Sequence, residues 1–216
     1  VGTAWDVLTF WPRHFHPFAP PCYGERLIPQ LRYRLEYLTG VEQAAPDGRV
    51  LLSAHSQGTV VAAATMMQLS REAAQRTALF TYGSPIEILY HRIFPAYFGT
   101  GVVESIARKM SPGSIEHPWQ HFYCRTDPLG IRLSELGPLP EGGELEVDPV
   151  AGRSNTQLFD PYPWTGLAGE PPRKMGRHSA YLVQEQFGRR TEMVIDQLAA
   201  SLPGPARDEV VADSPL

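Results

Sequence analysis

A mostly parallel α/β sheet with helices on both faces is the fold class this sequence predicts, and three observations predict it. Short aromatic and β-branched runs alternate with helix-period segments along the 216 residues. One such run, Val50 to Ser53, passes through a turn of small residues directly into a helical stretch. The composition is globular, with 43% hydrophobic and 19% charged residues, enough for one sizeable core and too short for two. A single domain is therefore expected over 1–202, with 86–115 as a candidate cap or lid. Residues 203–216 are expected to be a polar, Pro-bearing disordered tail.

The elements follow in order. Trp5 to Trp11 reads as a short buried strand, and Pro12 to Pro21 as a Pro- and His-rich loop. From Glu25 to Leu38 one helical face carries Leu27, Ile28, Leu31, Leu35 and Leu38. Pro29 fits that helix only in its first turn, and Gly40 is a good C-terminal stop. After the turn Pro46-Asp47-Gly48 and the strand Val50 to Ser53, Thr59 to Leu69 reads as a helix packed on both sides. Further strands are expected at Ala78 to Tyr82, at His121 to Arg125 and, more weakly, at Glu144 to Val147. Residues 149–177 read as a long Pro- and Gly-rich loop, whose length predicts that it is either functional or mobile. The last helix is expected from Thr191 to Leu202, with Met193, Val194, Leu198 and Leu202 inward.

Charge and cysteine usage narrow the function classes. A formal net charge of −4 with no basic cluster argues against nucleic acid as a partner. No apolar run approaches the roughly 20 residues that cross a bilayer. The chain opens on Val1 without a charged-then-apolar leader, so it is expected to be soluble and trimmed or excised from a longer protein. Cys124, inside an apolar run, is expected to be buried rather than bridged to the distant Cys22.

The most informative stretch is Leu52-Ser53-Ala54-His55-Ser56-Gln57-Gly58. A serine hydroxyl is a weak nucleophile, and it gains reach when a tight strand-to-helix turn lifts it out of a sheet. Such a turn crowds the positions two before and two after the serine, here Ala54 and Gly58. The helix that follows points its positive end at the serine, and the Gln57 amide is placed to donate to an oxyanion. His55, although adjacent, is expected to project away from the hydroxyl and to pack or hydrogen-bond beneath it.

Asp127, in the turn Thr126-Asp127-Pro128, sits at the carboxyl edge of a strand-like run, where it would orient a histidine ring. The bland reading is an Asx turn before Pro128. Asp148 and Asp160 are the reserve acids. His178, in a loop running into the C-terminal helical region, has the chain order expected of a base. His14, His16, His91, His117 and His121 all precede Asp127, against that order. His14/His16 and His117/His121 form local pairs without a third ligand, so neither a metal nor a cofactor is expected.

Together, Ala54-His55-Ser56-Gln57-Gly58, Tyr82-Gly83-Ser84-Pro85, Thr126-Asp127-Pro128 and His178 resemble the α/β-hydrolase superfamily, on its lipase and esterase side. The similarity spans about residues 5–202, and the chain also resembles the C-terminal hydrolase-like part of larger actinobacterial proteins. The resemblance implies a serine carboxylic-ester hydrolase working through Ser56, His178, Asp127 and an acyl-enzyme. An acyltransferase with the same triad, or an inactive hydrolase-fold binding module, stands as the alternative. The sequence departs from the family pattern in two ways. Ala54 replaces the first glycine of the elbow, and no His-Gly marks an upstream loop for the second oxyanion donor. Two alternatives stand: the loop after Phe10 supplies that donor, with Trp11 or Arg13 as the near candidates, or the donor belongs to N-terminal strands that this sequence is expected to lack. The aromatic and aliphatic side chains Ile86 to Phe98 read equally as core and as the wall of a pocket for an apolar, lipid-like ester.

Overall fold

Val50–His55 forms β1, whose last residues give way at Ser56 to α2, Gln57–Gln68. The sheet is built from this junction outward. The computed structural model describes residues 23–41, 48–111, 115–133, 145–147, 153–158 and 178–202. The expected strand at 5–11, Trp11, Arg13, Cys22, Asp148, Asp160, most of 149–177 and the tail from 203 lie outside the described residues.

A short helix α3, Arg71–Gln75, capped by the Ser70 hydroxyl on the Ala73 N–H, returns the chain to β2, Thr77–Tyr82. Among the described residues, five strands make one sheet in the order β1-β2-β3-β5-β4, with β3 Trp119–Tyr123, β4 Leu145–Val147 and β5 Arg153–Gln157. The pairs β1–β2, β2–β3 and β3–β5 are parallel; only β4 runs antiparallel, on the edge. The mostly parallel sheet is as the alternation of elements predicts.

Alternation along the strands assigns the two faces. Leu52, Ala54, Leu79 and Trp119 turn to one side, against α1 (Tyr23–Leu38), α2 and α4 (Thr100–Met110). Phe80, Tyr82 and Phe122 turn to the other, against Phe187, Val194 and Leu198 of α5, Glu185–Ala200. There Phe80, Phe122 and Phe187 meet edge-on or tilted, with ring centroids 4.8–5.8 Å apart. The helix α2 is buried from Thr59 to Met66, because it is wedged between the sheet and α1. Lys109 donates from α4 to the Met66 and Met67 carbonyls, closing the carboxyl end of α2.

Several expectations need correction. Pro29 lies well inside α1, beyond its first turn; it faces solvent, so its ring costs a backbone bond without disturbing the packed side. That packed side is narrower than expected: Ile28 and Leu35 are buried, whereas Leu27 and Leu38 are exposed. In α5, Val194 and Leu198 point inward as expected, but Met193 and, past the end of the helix, Leu202 are exposed and Phe187 takes an inward place instead. The third parallel strand begins at Trp119 rather than His121, and α5 begins at Glu185 rather than Thr191. The largest miss is β5, a strand inside the stretch read as loop. Gly40, with φ 76°, does end α1.

Between β2 and β3, a single π turn at Ile86–Tyr90 and two short helical turns lead into α4. Ile86, Tyr90, Phe98, Val103, Ile106 and Met110 from this stretch are buried in the core with α2, while Ile93 and Tyr97 are exposed.

Candidate active site

Ser56 has φ 53° and ψ −126°, the sole positive φ of a non-glycine residue among the described residues. The backbone holds it there from both sides. Its N–H donates to the Tyr82 carbonyl (3.0 Å), continuing the β1–β2 ladder, and its carbonyl accepts from the Thr59 N–H (2.9 Å) and the Thr59 hydroxyl (2.7 Å), opening α2. Thr59 in turn shares a 2.7 Å hydrogen bond with the buried Ser84 hydroxyl, from the turn after β2. Strand, elbow and helix are thereby locked to the neighbouring strand.

The crowding expected at the small positions is only half present. Ala54 is buried, but a Cβ built on Gly58 would meet nothing within 4 Å. The glycine that steric need demands is Gly83, at φ 57°, whose Cβ would stand 2.9 Å from His55 Nε2 and 3.0 Å from His178 Cε1.

The structure brings the three sequence-chosen residues into one line. His178 Nε2 lies 2.8 Å from Ser56 Oγ, and His178 Nδ1 lies 3.1 Å from both carboxylate oxygens of Asp127. These partners assign the tautomer: Nδ1 carries the proton toward the carboxylate, leaving Nε2 to accept from the serine hydroxyl. The Asp127 side chain is fully buried, whereas His178 keeps 29% of its side chain exposed, so the imidazole faces outward and the carboxylate inward.

Asp127 leaves β3 through a turn in which the Leu129 N–H donates to its Oδ1 at 2.9 Å. The Asx turn and the histidine contact thus coexist, and the turn is what aims the carboxylate. The Tyr181 hydroxyl donates to Oδ2 at 2.6 Å. Burial alone would raise the Asp127 carboxyl, but donors from Tyr181, Leu129, Gly130 and His178 together outweigh it and hold it below its ordinary range. Burial and the bond to Asp127 push the Tyr181 phenol up, so it remains a donor. Gly130 allows the close approach; a Cβ there would sit 2.3 Å from both Asp127 Oδ2 and the Tyr181 oxygen.

Gln57 is the first residue of α2, so its backbone N–H is among the helix donors without an intrahelical partner. Its side chain is engaged elsewhere, donating to the Tyr90 hydroxyl. With the side-chain amide taken, the backbone N–H is the donor that the start of α2 presents beside Ser56.

Behind the Asp127 loop, a second polar chain links β2 and β3. Trp119 Nε1 donates to Thr81 Oγ1 (3.0 Å), Thr81 Oγ1 pairs with His121 Nδ1 (2.9 Å), and His121 Nε2 meets the Ile131 carbonyl (2.9 Å). Asn155 of β5 exchanges bonds with the Leu133 N–H and carbonyl. His121 and Asn155 thus tie the segment after Asp127 down onto the sheet. Burial pushes the His121 imidazole down to about 4.

Tyr181, Gly83, Gly130, His121 and Asn155 carry these supports, and sequence reasoning assigned none of them a role. Tyr181 had one signal, an aromatic hydroxyl three residues past the histidine. Among the described residues no three His, Cys, Asp or Glu side chains gather as a metal-binding group, and no helix is long and apolar enough to cross a membrane. Cys124 is buried against the α5 face of the sheet. In comparisons with protein-family models, curated proteins and solved structures, none matches this chain.

Proposed function

We propose that this chain is a serine carboxylic-ester hydrolase of the α/β-hydrolase type, with Ser56 as nucleophile, His178 as base and Asp127 as the acid of the triad. One observation carries the reading: a serine held at positive φ between a strand and a helix, with its hydroxyl 2.8 Å from an imidazole that a buried carboxylate orients. The order along the chain supports it as well. The nucleophile follows β1, the acid follows β3 two parallel strands away, and the base precedes the last helix.

The chemistry follows from the hydrogen bonds. His178 Nε2 takes the Ser56 proton as Oγ bonds to the ester carbonyl carbon, and the carbonyl oxygen gathers negative charge beside the Gln57 N–H. Asp127 stays ionised and steadies the imidazolium through Nδ1–H. The imidazolium then protonates the departing alkoxide, leaving an acyl-serine ester. Water, deprotonated by His178, attacks that ester; the acid departs and Ser56 recovers its proton.

A fluorophosphonate probe with mass-spectrometric mapping tests this directly. Ser56 is expected to be the labelled residue, Ser56→Ala to abolish labelling, and His178→Ala to slow it on the order of 10³-fold or more. Absence of labelling together with absence of p-nitrophenyl ester hydrolysis, or labelling that survives Ser56→Ala, overturns the proposal.

A further inference from the structure

His55 stands one residue before the nucleophile and yet reaches the base. Its Nε2 lies 2.7 Å from the backbone carbonyl oxygen of His178. A carbonyl only accepts, so His55 Nε2 carries a proton and donates it. The ring is set by its surroundings. It stacks on Tyr82, its register partner on β2, with centroids 5.2 Å apart and planes inclined by 26°. On another side it tilts against the His178 ring at 4.7 Å. Gly83 leaves room for both imidazoles, since any β-carbon there would press on each.

We propose that His55 is a positioning residue for the base, an inference that rests on reading Ser56 and His178 as nucleophile and base. The bond joins the neighbour of the nucleophile to the main chain of the base, two positions 123 residues apart. Tyr181 tethers the same loop to Asp127. His178 is therefore held toward both of its partners, by His55 on the nucleophile side and by Tyr181 on the acid side. Without the first tether, the imidazole keeps its carboxylate but loses its fixed distance to Oγ. A displacement of about 1 Å in a reacting pair can cost on the order of 10²-fold in rate.

Two substitutions separate the hydrogen bond from the packing. His55→Phe keeps a ring against Tyr82 and removes the donor; His55→Gln removes the ring and places an amide N–H near the position of Nε2. The readouts are the rate of fluorophosphonate labelling at Ser56, and kcat and KM for a short p-nitrophenyl ester. For His55→Phe, labelling and kcat are expected to fall about 10- to 100-fold with KM nearly unchanged, and His55→Gln is expected to recover most of that loss. Should the phenylalanine variant fail to fold, His55→Asn, whose amide is too short to reach the carbonyl, takes its place. Equal labelling of His55→Phe and wild type, or a glutamine variant as slow as the phenylalanine one, overturns the inference while leaving the hydrolase reading intact. A wild-type Ser56 that never reacts overturns both.

Discussion

The two halves of the candidate site are built by different means. On the nucleophile side, β1, Ser56 and α2 are contiguous, and main-chain hydrogen bonds to Tyr82 and Thr59 fix the serine. On the relay side, Asp127 and His178 stand 51 residues apart on two loops and are held by side-chain bonds from Tyr181, His55 and His121. Backbone geometry tolerates many side-chain changes and then fails abruptly. A polar relay fails by degrees, and it responds to pH. The contrast makes the relay the more fragile half.

The largest expected effect breaks the relay at its centre. In Asp127→Asn only one oxygen remains; held at the Oδ1 position by the Leu129 N–H, it places the amide NH2 at the Oδ2 position, against the Tyr181 hydroxyl and His178 Nδ1. The ring then places its proton on Nε2, toward Ser56, where it cannot accept. A fall of about 10⁴-fold in kcat is expected with a folded chain by circular dichroism. A milder fall with an unchanged pH profile would mean that the carboxylate is not what sets the tautomer.

A smaller effect sharpens the role of the loop support. His121 is buried neutral with its imidazole pushed down to about 4, against about 6.5 unfolded. Between those values the unfolded chain binds a proton that the folded chain refuses. Stability from this residue is therefore complete above pH 6.5 and lost as pH falls toward 4, by about 3 kcal/mol in total. Urea titrations across that range check it, and His121→Gln is expected to flatten the slope. An unchanged slope in that variant would remove His121 as its source.

The smallest effect tests the tolerance of the nucleophile side. Gly58 has open space at its Cβ and lies in the first turn of α2, so Gly58→Ala is expected to stabilise the chain by about 0.5 kcal/mol. On the proposed function, ester hydrolysis should persist at close to the wild-type rate. A large loss of activity there would restore the crowding argument and weaken the contrast.

What the sequence reveals about the two halves follows the same division. The elbow is legible because strand, small residues and helix are consecutive, and β2 because Thr77–Tyr82 is almost wholly apolar, aromatic or β-branched. Asp127 is marked by the strand-like run that it closes, and His178 by chain order and its loop before the C-terminal helical region. Nothing local announces β5: Arg153, Ser154, Asn155, Thr156 and Gln157 are all polar, so neither alternation nor an apolar run marks them. Their first four side chains are nonetheless buried, because the strand sits inside the sheet between β3 and β4. Asn155 shows how such a strand is accepted, by bonding the main chain of Leu133. Tyr181 and Gly130 were hidden for a related reason, since their roles exist only once the carboxylate of Asp127 is beside them.

The dihedral angles of Ser56 also set a limit on how stable this molecule can be. A side-chain-bearing residue confined to that region costs about 1–3 kcal/mol, a sizeable share of the net stability of an ordinary domain. Glycine would relieve the strain at a stroke and remove the hydroxyl with it. On the proposed reading, robustness and a reactive oxygen therefore make opposite demands on this one position, and the serine keeps the hydroxyl together with the strain.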